Sequence, residues 1–289
     1  MSSSVLEYPL RAAGTLVRVM QWGLGGRSLL MLHGLGSHAG IWRAVGPRLA
    51  EAGHRVLAVD LPGHGLTSKG ATFDYSLAGH VSWLEALCEA LLEGQPENAL
   101  DLVGSSLGGL WAAGFAARHP ERIRSLTLVG SIGLAPLTLE RRRWTAGYLE
   151  HMDRASVAAR LRNAVLEPTV IEEALIEEGY RMNNSPGAAE SFAALGRYYL
   201  ERINEDVQLE PLAARAMRSP LLLLWGAGDT IVPSEVARAA AARVAGSALS
   251  LIEAGHIPHL ERPAEFVAVL QAFIQRSPAE EARRVHSLR

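Results

Sequence analysis

Two adjacent serines sit among four glycines in "DLVGSSLGGLWAAGFAARHP", Asp101 to Pro120, between an apolar run and a helix-like run. Gly104-Ser105-Ser106-Leu107-Gly108 fits G-x-S-x-G, which makes Ser106 the candidate nucleophile. Ser105 fails the pattern, because Val103 precedes it where glycine is required. A serine hydroxyl is a poor nucleophile at neutral pH, so the chemistry needs a histidine base and an acid to orient it, in the chain order Ser, Asp/Glu, His. Asp229 in "LLLLWGAGDTIVP" and His256 in "LSLIEAGHIPHLERPAEF" follow in that order, each just past an apolar run. His259 competes for the base, although it lies beyond Pro258 and nearer the next helix. Acyl transfer also needs N–H donors aimed at the developing oxyanion. Leu107 would supply one and Leu35, in the loop "LHGLGSHAGIW", the other. The plainer readings are a Gly-rich strand-to-helix turn at Ser106, a helix-capping aspartate before Pro233, and an ordinary loop at Leu35.

The elements that must position these residues come from hydrophobic patterning. Strand-like runs are expected at Val5 to Leu10 and Thr15 to Trp22, then in "SLLMLH", "RVLAVD", "ALDLVG", "RSLTLVG", "PLLLLWG" and "ALSLIEA". Helix-length segments separate the later runs, roughly Ile41 to Ala52, Ser76 to Leu92, Ser106 to Arg118, Ser234 to Val244 and Ala264 to Gln275. Strands alternating with helices indicate a mostly parallel sheet covered on both faces, an α/β fold in a doubly wound arrangement. The serine, aspartate and histidine would then all fall at the carboxyl edge of that sheet.

One stretch breaks the alternation. From Ala135 to Pro211 no strand is convincing, but "LTLERRRWTAGYLEHM", "VIEEALIEEGYRM" and "AAESFAALGRYYLERI" have helical patterns, punctuated by Pro136, Pro168, Pro186 and Pro211. The expected organisation is a core over 1–134, a helical cap over 135–211, and the rest of the core over 212–289, ending in a polar tail that frays. Trp144 and Tyr148 would share one helical face of the cap, and Phe192, Tyr199 and Arg197 another. If these line a pocket, Arg143, Arg181 or Arg197 would grip a substrate carboxylate. The plainer alternative is aromatics packing the cap on the core and arginines on a solvated face.

Length and composition narrow the function further. With 289 residues, 48% of them hydrophobic, the chain can bury a substantial core. Its 28 basic and 30 acidic residues give a formal net charge of -2, with no Lys/Arg block of the kind that binds nucleic acid. Cys88 is the single cysteine, which rules out an internal disulfide, and the start "MSSSVLEYPL" lacks a secretory layout. No apolar run approaches the roughly 20 residues of a membrane span. A cytoplasmic enzyme acting on a small molecule is therefore expected. No cofactor or metal is expected either, since no histidine or cysteine cluster has ligand spacing and no dinucleotide fingerprint opens a helix. Composition leaves the oligomeric state open.

Together, "HGLG", "DLPGHGLTS", "GSSLGG", "WGAGDTIVP" and "GHIPHLERPAEF" make the chain resemble the α/β-hydrolase superfamily from Leu29 to Phe273, the cap excepted. The resemblance implies an eight-stranded sheet, a helical lid between the sixth and seventh strands, and Ser106, Asp229 and His256 as the triad. It also implies that His33 and His64 serve loop structure rather than proton transfer. The loop "HGLGSHAGIW" is more similar to the esterase and lactonase version than to that of carbon-carbon bond hydrolases. This favours hydrolysis of an ester, thioester or lactone, with carbon-carbon cleavage as the alternative. A non-catalytic ligand receptor on the same scaffold is the remote one.

Overall fold

The computed structural model describes residues 4–95, 98–214 and 219–275. The polar C-terminal tail expected to fray lies outside them. All eight strand-like runs form strands: β1 (Leu6–Ala12), β2 (Thr15–Trp22), β3 (Ser28–Leu32), β4 (Arg55–Val59), β5 (Leu100–Ser105), β6 (Ile123–Val129), β7 (Leu221–Gly226) and β8 (Ala248–Ile252). They build one open sheet in the order β1-β2-β4-β3-β5-β6-β7-β8. Strand β2 runs antiparallel to both neighbours, and every pairing from β4 to β8 is parallel.

The period of two along each buried strand assigns its side chains to two layers. Leu30 and Leu32 pack in one core with α2 (Leu77–Leu92), α3 (Leu107–Arg118) and α9 (Ser234–Arg243). Leu29 and Met31 join the opposite core with α11 (Pro263–Ile274) and with Leu49 of α1 (Gly46–Glu51). Covering both faces is what lets the middle of β3 (Leu29 to Leu32) and of β7 (Leu221 to Trp225) be continuously apolar. The single helix expected over Ile41 to Ala52 is two pieces, a short 3-10 turn at Ala39–Trp42 and then α1. Pro47 accounts for the break. It cannot donate a hydrogen bond, and its ring clashes with the preceding helical turn, so it sits in the first turn of a new helix.

Between β6 and β7 the described residues form no strand. They fold as α4 (Leu139–Leu149), α5 (Arg154–Asn163), α6 (Glu173–Asn183), α7 (Ala188–Glu201) and α8 (Leu209–Ala214). Thr138 caps α4 and Asp153 caps α5 through side-chain oxygens that accept from Arg141 N and Ser156 N. Helix α10 (Pro258–Glu261) is a single turn leading into α11. Among the described residues, no helix is long and apolar enough to cross a membrane.

The loop after β4 braces the site edge through Asp60, whose side chain is wholly buried. Its carboxylate accepts from Ala39 N at 2.6 Å and from Leu66 N at 2.7 Å, and Arg18 Nη1 lies 3.5 Å away. Removing the carboxylate leaves the buried Ala39 N without its acceptor and takes one of the two carboxylates from buried Arg18, which keeps Glu7. Asp60→Ala is therefore expected to lower the free energy of unfolding by about 3–5 kcal/mol. Urea denaturation measures it, and an unchanged midpoint would mean that the carboxylate bears no such load.

Candidate active site

Parallel strands end at a common edge, so the loops after β3, β5, β7 and β8 meet there. Ser106 stands between β5 and α3 with φ 53° and ψ −115°, and Ala13 is the only other non-glycine residue with positive φ among the described residues. Its backbone is held from several sides. The N–H donates to Val129 O at 2.9 Å, and the carbonyl accepts from Gly109 N at 3.0 Å and from Ile132 N at 3.3 Å. The side chain projects from this turn into a cleft of about 950 Å³, open mouth included.

Asp229 lies in the turn after β7. Its Oδ1 accepts from Ile231 N at 2.8 Å and Val232 N at 2.9 Å, which fixes the carboxylate plane. Oδ2 is then left for His256, whose Nδ1 is 2.8 Å away. An aspartate accepting at Nδ1 keeps the proton there and leaves Nε2 as the basic nitrogen. His256 lines the same cleft as Ser106. Ser106 Oγ makes no hydrogen bond among the described residues, the loose state common before a substrate draws nucleophile and base together.

The loop after β3 lies close against the serine: a Cβ added at Gly34 would be 3.0 Å from Ser106 Cβ, a tight contact that glycine avoids. The N–H of Leu35 has no acceptor among the described residues. Leu107 opens α3, where the first N–H of a helix has no intrahelical partner. Neither N–H thus has a protein acceptor among the described residues, as the donors of an oxyanion site require.

The other histidines separate cleanly from His256. His33 is fully buried; its Nε2 accepts from Leu61 N at 3.0 Å, so Nδ1 carries the proton and donates to Gly34 O at 2.7 Å. Burial pushes its pKa down to about 3, and that of His64, which packs edge-on to it, likewise to about 3. His259 stacks on Trp42 with ring centroids 4.1 Å apart, and neither ring nitrogen has a hydrogen-bond partner. It is a neutral packing residue, held to about pH 3 by burial first and His256 second.

The cleft wall differs from the sequence expectation in its arginines. Trp144, Tyr148 and Tyr199 do line it, while Phe192 is buried in the core against His64. Arg143 and Arg197 are exposed and do not line the cleft, and Arg181 pairs with Glu177 at 2.6 Å on the surface. The arginines that do line it are Arg141 and Arg160. Neither has a carboxylate partner among the described residues. Arg160 lies outside the sequence expectation because α5 carries few large apolar residues and so shows no clear helical pattern. The capping pair Asp153 and Ser156 was the signal that would have found it.

A model of the alpha/beta hydrolase fold matches residues 27–263. The chain belongs to that family and is a hydrolytic enzyme. It is 30% identical over 272 residues to 2-hydroxymuconate semialdehyde hydrolase of Pseudomonas sp. (strain CF600), covering 93% of each chain. It is 28% identical to monoacylglycerol lipase abhd6-A of Xenopus laevis, covering 90% of this chain and 78% of that one. The crystal structure of a serine hydrolase involved in carbazole degradation superposes with a TM-score of 0.79 at 24% identity, covering 94% of this chain and 99% of that one, a likeness of fold.

His259 makes acid sensitivity testable. Its pKa falls from 6.5 in the unfolded chain to about 3 in the folded one, so as pH drops the unfolded chain takes up the proton first. The stability this neutral ring contributes is complete above about pH 6.5 and is lost towards pH 3, at up to about 1.4 kcal/mol per pH unit. His259→Phe, which keeps an aromatic ring against Trp42, should flatten the fall in unfolding free energy between about pH 6 and about pH 4. Urea titrations at stepped pH report it; parallel curves for the two proteins would reject the assignment.

Proposed function

We propose that this hydrolase cleaves a small-molecule carboxylic ester, thioester or lactone through an acyl-enzyme on Ser106. His256 takes the proton of Ser106 as the hydroxyl attacks the carbonyl carbon, and Asp229 holds the imidazole tautomer. The N–H groups of Leu35 and Leu107 receive the oxyanion. His256 then returns the proton to the leaving oxygen or sulfur, and water, activated by the same base, releases the acid. Residues 135–211 act as the cap that encloses the substrate. The observation that carries this reading is the 2.8 Å Asp229–His256 contact in the same cleft as the strained Ser106 turn. The single buried Cys88 agrees with a cytoplasmic setting.

A second reading, carbon-carbon bond hydrolysis on the same three residues, gains support from the relative named for 2-hydroxymuconate semialdehyde. Both readings share one substrate feature. Arg141 lines the cleft beside Trp144, its guanidinium 5.4 Å from the ring centroid, and its one hydrogen bond goes to Thr230 O at 3.4 Å. A guanidinium so placed favours an anionic substrate.

Ser106→Ala and His256→Ala are expected to cost about four to six orders of magnitude in kcat on p-nitrophenyl esters, while Ser105→Ala and His259→Phe keep most of the turnover. A fluorophosphonate should inactivate the protein with its adduct on Ser106. Full activity in purified Ser106→Ala protein, or an adduct elsewhere, would remove Ser106 as nucleophile. Arg141→Ala should raise KM for acidic esters about tenfold while sparing neutral ones, and the same change at Arg143, Arg181 or Arg197 should do neither. Equal effects on acidic and neutral esters would end the preference.

A further inference from the structure

Resting on the reading of Ser106 as nucleophile, we infer that Arg160 is a positioning residue for the oxyanion loop, and that α5 fixes the spacing between that loop and His256. Three successive carbonyls of the loop are each held by a donor. His33 Nδ1 donates to Gly34 O at 2.7 Å. Arg160 donates through Nη1 to Leu35 O at 2.9 Å and through Nη2 to Gly36 O at 2.6 Å. Asn183, at the end of α6, adds a bond to Gly36 O at 3.0 Å.

No peptide bond among the described residues is cis. In a trans peptide the C=O and the next N–H point in opposite directions, so a held carbonyl aims the N–H of the following residue. His33, together with Ser37 N at 3.2 Å, holds the Gly34 carbonyl and thereby fixes the direction of the Leu35 N–H. Arg160 holds the next peptide plane, which stops the Leu35 backbone from swinging the first plane out of line. Gly36 has φ +62°, and a Cβ there would run into Arg160 Nη1, so the loop conformation and the guanidinium fit each other.

The same helix reaches the base. Ala164, the C-cap of α5 and four residues beyond Arg160, accepts from His256 N at 2.7 Å. One turn of helix therefore holds the donor loop with a side chain and the base loop with a main-chain carbonyl. Arg160 is itself fixed over the Tyr148 ring, its guanidinium carbon 4.9 Å from the centroid. A planar guanidinium can span two neighbouring carbonyls, whereas a lysine ammonium acts as a point donor.

The test compares Arg160→Met, Arg160→Lys and Asn183→Ala with the native chain in ester kinetics and in binding of an alkylboronic acid, whose tetrahedral adduct on Ser106 uses the oxyanion donors. Arg160→Met should lower kcat about ten- to a hundredfold with KM within about threefold, and boronate affinity should weaken by the same factor as kcat/KM. Arg160→Lys should fall between the two. If Arg160→Met does not fold, Asn183→Ala decides, with an expected loss of about two- to fivefold in both kcat and boronate affinity. Three results would overturn the inference while leaving the hydrolase reading intact: kcat unchanged in the variant that folds, a rise in KM alone, which would make Arg160 a grip on substrate, or a kcat loss with boronate affinity preserved. A native chain with no turnover and no boronate adduct would overturn both.

Discussion

Ser106 occupies a backbone region that L-residues avoid, and the fold's working edge is organised around keeping it there. Such a conformation costs on the order of 1–3 kcal/mol and persists only where its surroundings over-determine it. Here they do: β6 receives the N–H of Ser106 through Val129 O, while the start of α3 and the loop after β6 donate to its carbonyl. The sheet order follows the same need. Placing β5 between β3 and β6 sets the Gly34–Gly36 loop on one side of the serine and the Asp229–His256 pair, carried by β7 and β8, on the other.

The electrostatics of the edge rest on division of labour among histidines. His33, His64 and His259 are driven to neutrality by burial, each to a pKa of about 3, and act as hydrogen-bonding or stacking pieces. His256 alone among them faces a carboxylate at 2.8 Å and also borders the cleft. Several neutral imidazoles are thus buried around one that is paired with a carboxylate. The cost is sensitivity to acid, because every neutral buried histidine favours the unfolded chain once the pH drops below its ordinary range.

The helices between β6 and β7 take part in the site as well as covering it. Arg160 reaches down to Leu35 and Gly36, Ala164 O receives His256 N, and Glu261 links Gly255 N to Leu166 N through its two carboxylate oxygens. The helices between β6 and β7 therefore share hydrogen bonds with both the loop after β3 and the loop after β8.

The sequence by itself determined the eight strands, because β-branched and leucine-rich runs bounded by glycine and proline read as buried strands whatever surrounds them. It also determined which serine, aspartate and histidine fall just beyond strand ends, since chain order and turn chemistry are local properties. What only tertiary structure decided is which side chains share a space. Local pattern could not separate Phe192, which went into the core, from Tyr199, which reached the cleft, because both lie on the same helix and differ in what packs above them. Nor could it choose among arginines. Arg143, Arg181 and Arg197 had the aromatic neighbours, yet Arg160, on a helix with only Val157, Ala158 and Leu161 to bury, reached the oxyanion loop 124 positions earlier in the chain. Contacts at that separation arise from how the insertion folds back over the sheet, and a linear pattern carries no record of that distance.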